Sequence, residues 1–333
     1  MTSHPNTHPV TRDTIMPVAH ASRLLREFVP GHDLKSRFRR VRIWMYALLH
    51  PRAAYCWFNA LAQHRLLADM ARHDRRFAER PFHGLAQAHL GAFARVAMIR
   101  DHYVFAERLL GESLTRRVYL AAQPVVLAAC PQFAIVLKAV TRCRREGLLT
   151  IACTDTETGV DLAWATLTLE MRQGTRTPAL FIGGLQGPGG EHRERVRIVT
   201  RASHGLRPKA AVMEAIGALC ELLNIGRLTA VARSAHVSSA GTDAFRSDYD
   251  AFWQELGGTR AGERFVLPLA PPHRTIEQVP SNKRAAFRRR QTLIAQMKEA
   301  LRHNVMRAKY ENAPRTDAPS RQEAPPALAY AVH

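Results

Sequence analysis

Two cations, Arg207 and Lys209, stand where a helix-forming segment of the sequence begins. The N-terminus of a helix already carries partial positive charge, so further cations are unfavourable there unless an anion is bound. The free backbone amides of the same turn also bind phosphate. We therefore predict a phosphate site formed by His204, Arg207 and Lys209. The alternative is that two acidic side chains, Glu191 and Glu194, neutralise both cations.

A glycine-rich segment, residues 182–190 (IGGLQGPGG), follows a predicted strand. Glycine in such a position indicates a positive φ angle or a close approach of the backbone to another group, and its amides can surround an anion. The spacing matches neither the Walker pattern nor the dinucleotide-binding fingerprint. We predict that Gly183, Gly184, Gln186 and Gly187 contribute to a cofactor site. The alternative is a mobile junction between strand and loop.

A histidine, His236, ends the next predicted strand, and Tyr249 opens the helix after it. Ligands of open sheets bind at the carboxyl ends of strands, beside helix N-termini. With suitable geometry, His236 would act as a general base and Tyr249 as a general acid. A structural histidine in the core is the alternative. The other histidines and the five cysteines show no spacing typical of a metal site.

The elements that would position these groups change in character along the chain. Residues 31–130 are rich in Ala, Leu and Arg and predict helices, whereas residues 131–272 alternate short apolar runs with polar turns. The second region predicts four antiparallel strands, a helix, a strand, a short helix and a last strand, at 133–140, 148–154, 162–170, 179–185, 206–223, 228–233, 249–256 and 265–269. Residues 195–200 are predicted as a further strand. A β-α-β unit joined to antiparallel strands requires a mixed, mostly antiparallel sheet, so the predicted fold class is α+β.

Two basic segments predict amphipathic helices. In Leu34–Leu49 an apolar arc is formed by Leu34, Phe38, Val41, Trp44, Met45 and Leu48. We predict that this arc faces the core; the alternative is a helix that lies on an anionic membrane surface. Residues 273–311 form a basic C-terminal region, whose predicted helix has a stripe of Phe287, Ile294, Met297, Leu301 and Val305. Residues 1–30 and 312–333 lack periodicity and predict a flexible leader and a disordered tail.

The net charge of the chain limits the kinds of partner that it would bind. The chain of 333 residues has 48 Lys and Arg against 28 Asp and Glu, a formal net charge of +20. The excess lies before residue 148 and after residue 272, so the flanks would attract an anionic surface. Basic and aromatic residues interleave only in Leu34–Leu49, which argues against nucleic acid. Widely spaced cysteines predict reduced thiols in the cytoplasm, and prolines in the most apolar window, residues 120–140, argue against a membrane span.

Four motifs occur in order along the chain: IGGLQG at 182–187, HGLRPK at 204–209, YDAFWQELGG at 249–258 and PSNKRA at 280–285. Together they resemble the bacterial VirK/YbjX family over roughly residues 34–305. The resemblance implies a cytoplasmic protein of Gram-negative bacteria, with a peripheral location at the inner membrane as a further expectation. It also implies a link to virulence and to resistance against cationic antimicrobial peptides, in a family defined around a domain of unknown function.

The order of elements is similar to that of the acyl-CoA N-acyltransferase superfamily. In that superfamily, the loop before the central helix holds the pyrophosphate of acyl-CoA on backbone amides, and residues 206–209 would occupy its place. The chain departs from the superfamily signature Gln/Arg-x-x-Gly-x-Gly/Ala, and Pro208 removes one amide donor.

This second resemblance implies a hypothesis, the transfer of an acyl group from acyl-CoA to an amine. Arg207 and Lys209 would contact phosphate, the segment 183–190 would line the acyl channel, and His236 or Tyr249 would relay the proton. Positioning of a deprotonated amine beside a thioester can supply most of the rate of such a transfer. The alternative is a protein without catalytic activity that binds an anionic membrane surface through its basic flanks.

Overall fold

The computed structural model describes residues 23, 26–31, 33–74, 76–171, 177–238 and 249–310. Most of the predicted leader and all of the predicted tail lie outside the described residues. No helix within the described ranges is long and apolar enough to cross a bilayer.

Nine α-helices have both ends within the described ranges, and residues 23 and 26–28 are helical as well. They are α1 (Leu34–Leu49), α2 (Pro51–Gln63), α3 (Arg65–His73), α4 (Ala92–Leu110), α5 (Glu112–Tyr119), α6 (Arg193–Ala202), α7 (Pro208–Leu222), α8 (Tyr249–Glu255) and α9 (Arg284–Tyr310). A short 3-10 helix, Phe77–Phe82, lies between α3 and α4. The helices expected in the N-terminal region are therefore present.

Eight strands form one mixed sheet. They are β1 (Val125–Ala129), β2 (Phe133–Ala139), β3 (Leu149–Asp155), β4 (Asp161–Met171), β5 (Pro178–Gln186), β6 (Arg227–Val231), β7 (Thr259–Ala261) and β8 (Arg264–Leu267). Their order in the sheet is β1-β2-β3-β4-β5-β6-β8-β7, and only β5 and β6 pair in parallel. The predicted α+β class with a mixed, mostly antiparallel sheet is confirmed. The sheet starts at β1, a strand that the sequence prediction did not include.

The core lies on both faces of the sheet. Residues 162–169 of β4 are buried without interruption, which requires cover on each side. Helices α4 and α7 both pack against β4, and α9 packs against α7 and β1. The central helix α7 buries most of its length, because its sequence is apolar nearly all round.

Both ends of α7 have residues that suit a helix end. Pro208 is the first helical residue, where its missing N–H is not needed. Asn224 adopts a left-handed φ of 51° just after the helix, and the Ile225 amide donates to the Cys220 carbonyl at 2.9 Å. These contacts fix both ends of α7 and so fix the positions of Arg207 and Lys209 beside it.

The strand predicted at residues 195–200 is wrong, because the segment belongs to α6. Val196 and Val199 lie three residues apart on the side of α6 that packs inward, and Val199 is 2% exposed. The arginines at 193, 197 and 201 are exposed to solvent. Helical periodicity of burial therefore outweighs the β-branched composition of this segment.

The two amphipathic helices differ in what covers their apolar stripes. On α9, the stripe is buried as predicted, with Leu301 and Val305 both 0% exposed. On α1, the prediction that the arc faces the core is wrong, since Phe38 is 73% and Leu48 77% exposed. The residues of α1 that are buried are Ser36 and Ile43, so α1 packs through a different side.

Candidate functional site

The two parallel strands separate at their carboxyl ends. Pairing between β5 and β6 ends at Ile182 and Ala230, whereas β5 continues to Gln186 alongside β4 only. A register shift in the β4–β5 ladder leaves Gly183 as an extra residue of β5. Such a bulge bends the strand locally. The separation creates an opening at the sheet edge where ligands of open sheets bind.

A buried polar cluster lies at this opening, around the carboxylate of Glu146. Gln186 Nε2 donates to Glu146 Oε1 at 2.7 Å, and Thr166 Oγ1 donates to Oε2 at 3.3 Å. His236 Nε2 lies 3.5 Å from Glu146 Oε1. Glu146 is 4% and His236 0% exposed, so the carboxylate and the imidazole face each other with little water between them.

The tautomer of His236 follows from its second nitrogen. The backbone amide of Ser238 donates to His236 Nδ1 at 3.2 Å, so Nδ1 carries no proton. In the neutral ring the proton is therefore on Nε2, which faces Glu146. The Nε2 proton therefore faces the Glu146 carboxylate across an electrostatic contact of 3.5 Å.

Tyr249, the first residue of α8, completes the cluster. Its hydroxyl accepts a hydrogen bond from the Leu185 amide at 3.2 Å, and its ring centroid lies 5.5 Å from that of His236. Burial raises the pKa of the Tyr249 phenol, and the negative charge of Glu146 raises it further. The phenol therefore keeps its proton at neutral pH and can serve as a proton donor.

Glycines make room for Glu146. A Cβ atom at Gly183 would lie 1.6 Å from the Glu146 carbonyl oxygen, and one at Gly184 would lie 2.1 Å from Glu146 Oε2. Both distances are far below van der Waals contact. The close approach of the backbone to another group, one of the reasons proposed for glycine in this segment, is therefore present. The group that approaches is the turn between β2 and β3 rather than an anion.

A cavity of about 770 Å³ shares two elements with the polar cluster, although no residue of the cluster lines it. Its apolar wall is formed by Leu162, Pro188, Val196, Met213, Phe252 and Leu256. Its charged lining consists of Arg197, Arg201, Arg207, Lys209 and Glu255. Gly187 follows Gln186 directly, and Phe252 lies on α8 with Tyr249, so β5 and α8 contribute to both the cavity and the cluster.

The cations at the start of α7 keep their charge uncompensated. Among the described residues, no carboxylate oxygen lies within 4 Å of the Arg207 or Lys209 side chains, and no acidic residue occupies the first turn of α7. Glu194 pairs with Arg197 at 3.4 Å and Glu191 with His192 at 3.7 Å. The alternative that these two carboxylates neutralise Arg207 and Lys209 is wrong.

Lys209 is the more buried of the two cations. Its Nζ atom lies 5.9 Å from the ring centroid of Phe252, and burial lowers the pKa of its ammonium group. A cation held against an apolar wall without a carboxylate is stabilised by an anion that binds in the same cavity.

The structure thus divides the predicted site residues into two groups and leaves one apart. Gly187, Arg207 and Lys209 line the cavity. The polar cluster contains Gly183, Gly184, Gln186, His236 and Tyr249. His204 is exposed in the turn between α6 and α7, with a φ of 55°, and does not line the cavity. Of the segment 183–190, which was expected to line an acyl channel, only Gly187 and Pro188 do so.

Sequence reasoning missed Glu146. The available signal was a single carboxylate within the otherwise basic run RCRREG between two predicted strands. No group of three or more histidine, cysteine or acidic side chains in the described part of the chain could hold a metal ion. The five cysteines are free thiols, three of them buried and two, Cys56 and Cys143, half-buried.

Comparison with known proteins assigns the family. The family described as "Protein of unknown function (DUF535)" matches residues 32–303. The uncharacterized protein YbjX of Escherichia coli K12 is 31% identical over 279 residues, which cover 80% of this chain and 83% of that protein. Two uncharacterized proteins of Haemophilus influenzae are 28% and 31% identical over segments that cover 38% and 35% of this chain. No solved structure matches.

The chain is thus an α+β protein with a mixed sheet, a charged cavity and a buried carboxylate at the opening between its parallel strands. It belongs to the DUF535 family, the VirK/YbjX family that the four motifs predicted.

Proposed function

We propose that the protein transfers an acyl group from acyl-CoA to an amine. One observation carries this proposal: β5 and α8 contribute both to an apolar cavity with uncompensated cations and to a buried Glu146–His236–Tyr249 cluster. The cavity offers one environment for phosphate and another for a hydrocarbon chain, and the cluster offers an acceptor and a donor of protons. Acyl-CoA needs all of these.

The phosphate end of the donor would lie on the first turn of α7. Arg207 is exposed at the N-cap position, and its side chain makes no capping bond there. Arg201 also lines the cavity and has no carboxylate within 4 Å among the described residues. One guanidinium group can donate two parallel hydrogen bonds to the oxygens of a phosphate. The acyl chain would then contact Met213, Phe252 and Leu256.

The strand order supports the same class of reaction. A meander is followed by a helix, a parallel strand that separates from its neighbour, and a final hairpin inserted as β6-β8-β7. This order is similar to that of acyl-CoA N-acyltransferases. Pro208 removes one amide donor from the turn, so the arginine side chains would carry more of the phosphate binding than backbone amides do.

In the reaction, the amine nitrogen forms a bond to the thioester carbon and the carbon–sulfur bond breaks. The proton lost by the amine passes to the Glu146 carboxylate, which His236 Nε2 supports from 3.5 Å. Tyr249 would give a proton to the departing thiolate, since its phenol is protonated at neutral pH. Positioning of the two reactants supplies most of the rate.

Ligand binding tests the first half of the proposal. Octanoyl-CoA should raise the melting temperature of the full chain, because a ligand that binds only the folded state stabilises it. Arg207→Ala and Lys209→Ala should weaken this effect by about tenfold or more in apparent affinity. Arg193→Ala, an exposed arginine of α6 outside the cavity, is the matched control. No stabilisation by any acyl-CoA would contradict the proposal.

Turnover tests the second half. Release of CoA thiol in the presence of a panel of primary amines should fall by about 100-fold or more in Glu146→Gln, which removes the proton acceptor but keeps its shape. Octanoyl-CoA should still stabilise this variant. Loss of binding and turnover together would assign Glu146 a structural role only. The link to virulence and to cationic antimicrobial peptides stays a prediction.

A second candidate function, binding to an anionic membrane surface, is favoured by the exposed stripe of α1. Leu34 is 70%, Phe38 73% and Leu48 77% exposed, and these side chains share one side of the helix. Lys35 and Arg37 beside them are also exposed. A basic helix with an uncovered apolar side suits the interface of an anionic bilayer.

Vesicle sedimentation tests this candidate. Phe38→Ser with Val41→Ser should weaken binding to phosphatidylglycerol vesicles by at least about tenfold, because each side chain contributes buried apolar area. The control pair, Phe93→Ser with Val126→Ser, replaces residues that are 58% and 49% exposed elsewhere. Equal losses in both double variants would contradict a role for α1.

A further inference from the structure

A second charged cavity, of about 720 Å³, lies on the helical side of the molecule. Six arginines line it: Arg39, Arg42, Arg76, Arg80, Arg144 and Arg145. They come from α1, from the 3-10 helix Phe77–Phe82 and the residue before it, and from the turn between β2 and β3. We call this space the arginine cavity. It shares no lining residue with the cavity proposed for acyl-CoA.

Glu79 is the one carboxylate among the residues that line the arginine cavity. Its Oε1 atom lies 2.5 Å from Arg39 Nε, and its Oε2 atom pairs with Arg42. His83 Nε2 lies 3.6 Å from the same carboxylate. Glu79 therefore compensates the two arginines of α1 and leaves the other four without a partner of this kind.

The remaining arginines lack counter-charges. Within the described part of the chain, no carboxylate oxygen lies within 4 Å of the guanidinium groups of Arg76, Arg80, Arg144 and Arg145. The carboxylate of Asp74, two residues before Arg76, accepts a hydrogen bond from the backbone amide of Arg76 at 2.9 Å. Four cations around one cavity raise its electrostatic potential, and the low-dielectric walls concentrate that potential.

Arg80 makes the strongest case for a bound anion. Its Nη2 atom donates to the carbonyls of Arg144 at 2.6 Å and Gly147 at 3.1 Å. Its Nε atom is buried and has no hydrogen-bond partner among the described residues. Burial also lowers the pKa of this guanidinium. A half-buried cation with no carboxylate within 4 Å is costly, and an anion in the cavity would lower that cost.

The arginine cavity adjoins a second cavity, so there is room for a ligand with more than one anionic group. An adjoining cavity of about 470 Å³ shares Arg76, Arg80 and Arg144 with the arginine cavity. Its other lining includes Tyr103, Tyr119 and one acidic residue, Asp74. A ligand with several anionic groups could therefore reach cations on both sides of Arg80.

We infer that the arginine cavity binds a ligand with two or more phosphate groups. Guanidinium groups form paired hydrogen bonds with phosphate oxygens, and four of them exceed what a single monoanion would neutralise. The inference goes beyond the proposed acyl transfer and does not depend on it. The same chemistry is offered by a soluble polyphosphorylated metabolite and by a lipid with a phosphorylated headgroup.

Calorimetric titration of the full chain with inorganic triphosphate tests the inference. Triphosphate should bind with an affinity at least about tenfold higher than orthophosphate, because several guanidinium groups act on it together. Arg76→Ala with Arg145→Ala should weaken triphosphate binding by about tenfold or more; both side chains are exposed, so the fold should persist. The control, Arg288→Ala with Arg289→Ala, removes the same charge from exposed positions of α9.

Three outcomes decide the matter. Loss of triphosphate binding in the cavity variant, with the control and Arg207→Ala unchanged, supports the inference. Equal losses in the cavity variant and the α9 control indicate non-specific attraction to a basic surface and overturn it. Absence of triphosphate binding by the unmodified chain also overturns it, unless the vesicle measurement detects a cavity-dependent lipid.

Vesicles distinguish the two sources of the ligand. Phosphatidylglycerol vesicles with and without phosphatidylinositol bisphosphate are compared for the unmodified chain and for Arg76→Ala with Arg145→Ala. Preference for the bisphosphorylated headgroup that disappears in the cavity variant supports a lipid source. Cavity-dependent binding of free triphosphate without such a preference supports a soluble source. If neither probe responds to the cavity variant, the inference fails.

Discussion

Helices α1 and α9 have similar sequences in physical terms and opposite positions in the fold. Both are basic, and both have an apolar stripe with helical spacing. The stripe of α9 packs against α7 and β1 and is buried, whereas the stripe of α1 points away from the protein. Periodicity therefore identifies a stripe but does not determine what covers it.

Different contacts hold the two helices. Leu301 and Val305 of α9 are 0% exposed, so apolar packing fixes this helix on the sheet. Helix α1 buries Ser36 and Ile43, and two of its arginines, Arg39 and Arg42, pair with the buried Glu79. Both helices combine packing and charge, since Tyr46 of α1 stacks on Phe82 and Lys298 of α9 pairs with Glu214, but the apolar stripe contributes to packing only in α9.

The largest effect should come from the same substitution in both helices. Leu301→Ala removes a fully buried side chain and should lower the free energy of unfolding by about 3 kcal/mol. Leu48→Ala removes a leucine that is 77% exposed and should change it by less than about 0.5 kcal/mol. Chemical denaturation of both variants provides the measurement. Similar losses would mean that something covers α1 in solution.

Acid should destabilise helices α1, α2 and α4 more than it destabilises α9. His102 of α4 is fully buried; its Nδ1 accepts from the Leu169 amide at 3.0 Å, and its Nε2 lies 2.7 Å from the Tyr119 hydroxyl. Burial, with a smaller effect of the Arg80 charge, lowers the pKa of His102 from 6.5 to about 3. Between these values the unfolded chain binds a proton that the folded chain does not, so stability falls as the pH falls.

The lowered pKa of His102 alone should make the free energy of unfolding about 2–3 kcal/mol smaller at about pH 4.5 than at pH 7. His102→Asn, whose amide oxygen can still accept from Leu169, should show a pH dependence reduced by that amount. Hydrogen exchange at about pH 4.5 should then increase in α1, α2 and α4 before α9. Equal exchange in all four helices would indicate one cooperative unit.

The smallest effect should come from the carboxylates that pair with each helix. Glu79→Gln removes the charge that holds two arginines of α1 and should cost about 2 kcal/mol. Glu221→Gln on α7 removes an exposed partner of Arg302 on α9 and should cost less than about 1 kcal/mol. Urea titrations at low and high salt would measure both. If Glu221→Gln lowered the free energy of unfolding more than Glu79→Gln, ion pairs would matter more for α9 than for α1.

Local signals predicted much of the fold. The helix predicted at 206–223 agrees closely with α7, Pro208–Leu222, and the polar turn between β3 and β4 agrees with a predicted turn between apolar runs. These features depend on backbone chemistry within a few residues. Residues 195–200 were misassigned because their β-branched composition and their helical burial pattern conflict, and tertiary packing decides such conflicts.

The candidate site was predicted only where one element carried the whole signal. Arg207 and Lys209 were identified because cations at a helix N-terminus are unfavourable without an anion. Glu146 was not identified, because its contacts come from Gln186, Thr166 and His236, which lie 20 to 90 residues further along the chain. The arginine cavity was missed for the same reason, since three separate segments form it.

The lack of space at Gly183 has a consequence for how the site is assembled. The Glu146 main chain rests directly on the strand at this point, so a methyl group there would displace the turn between β2 and β3. That turn supplies Arg144 and Arg145 to one cavity and the carboxylate to the opening beside the other. A single added carbon at position 183 should therefore disturb both ligand sites at once, which makes Gly183→Ala a sensitive measure of whether they are mechanically linked.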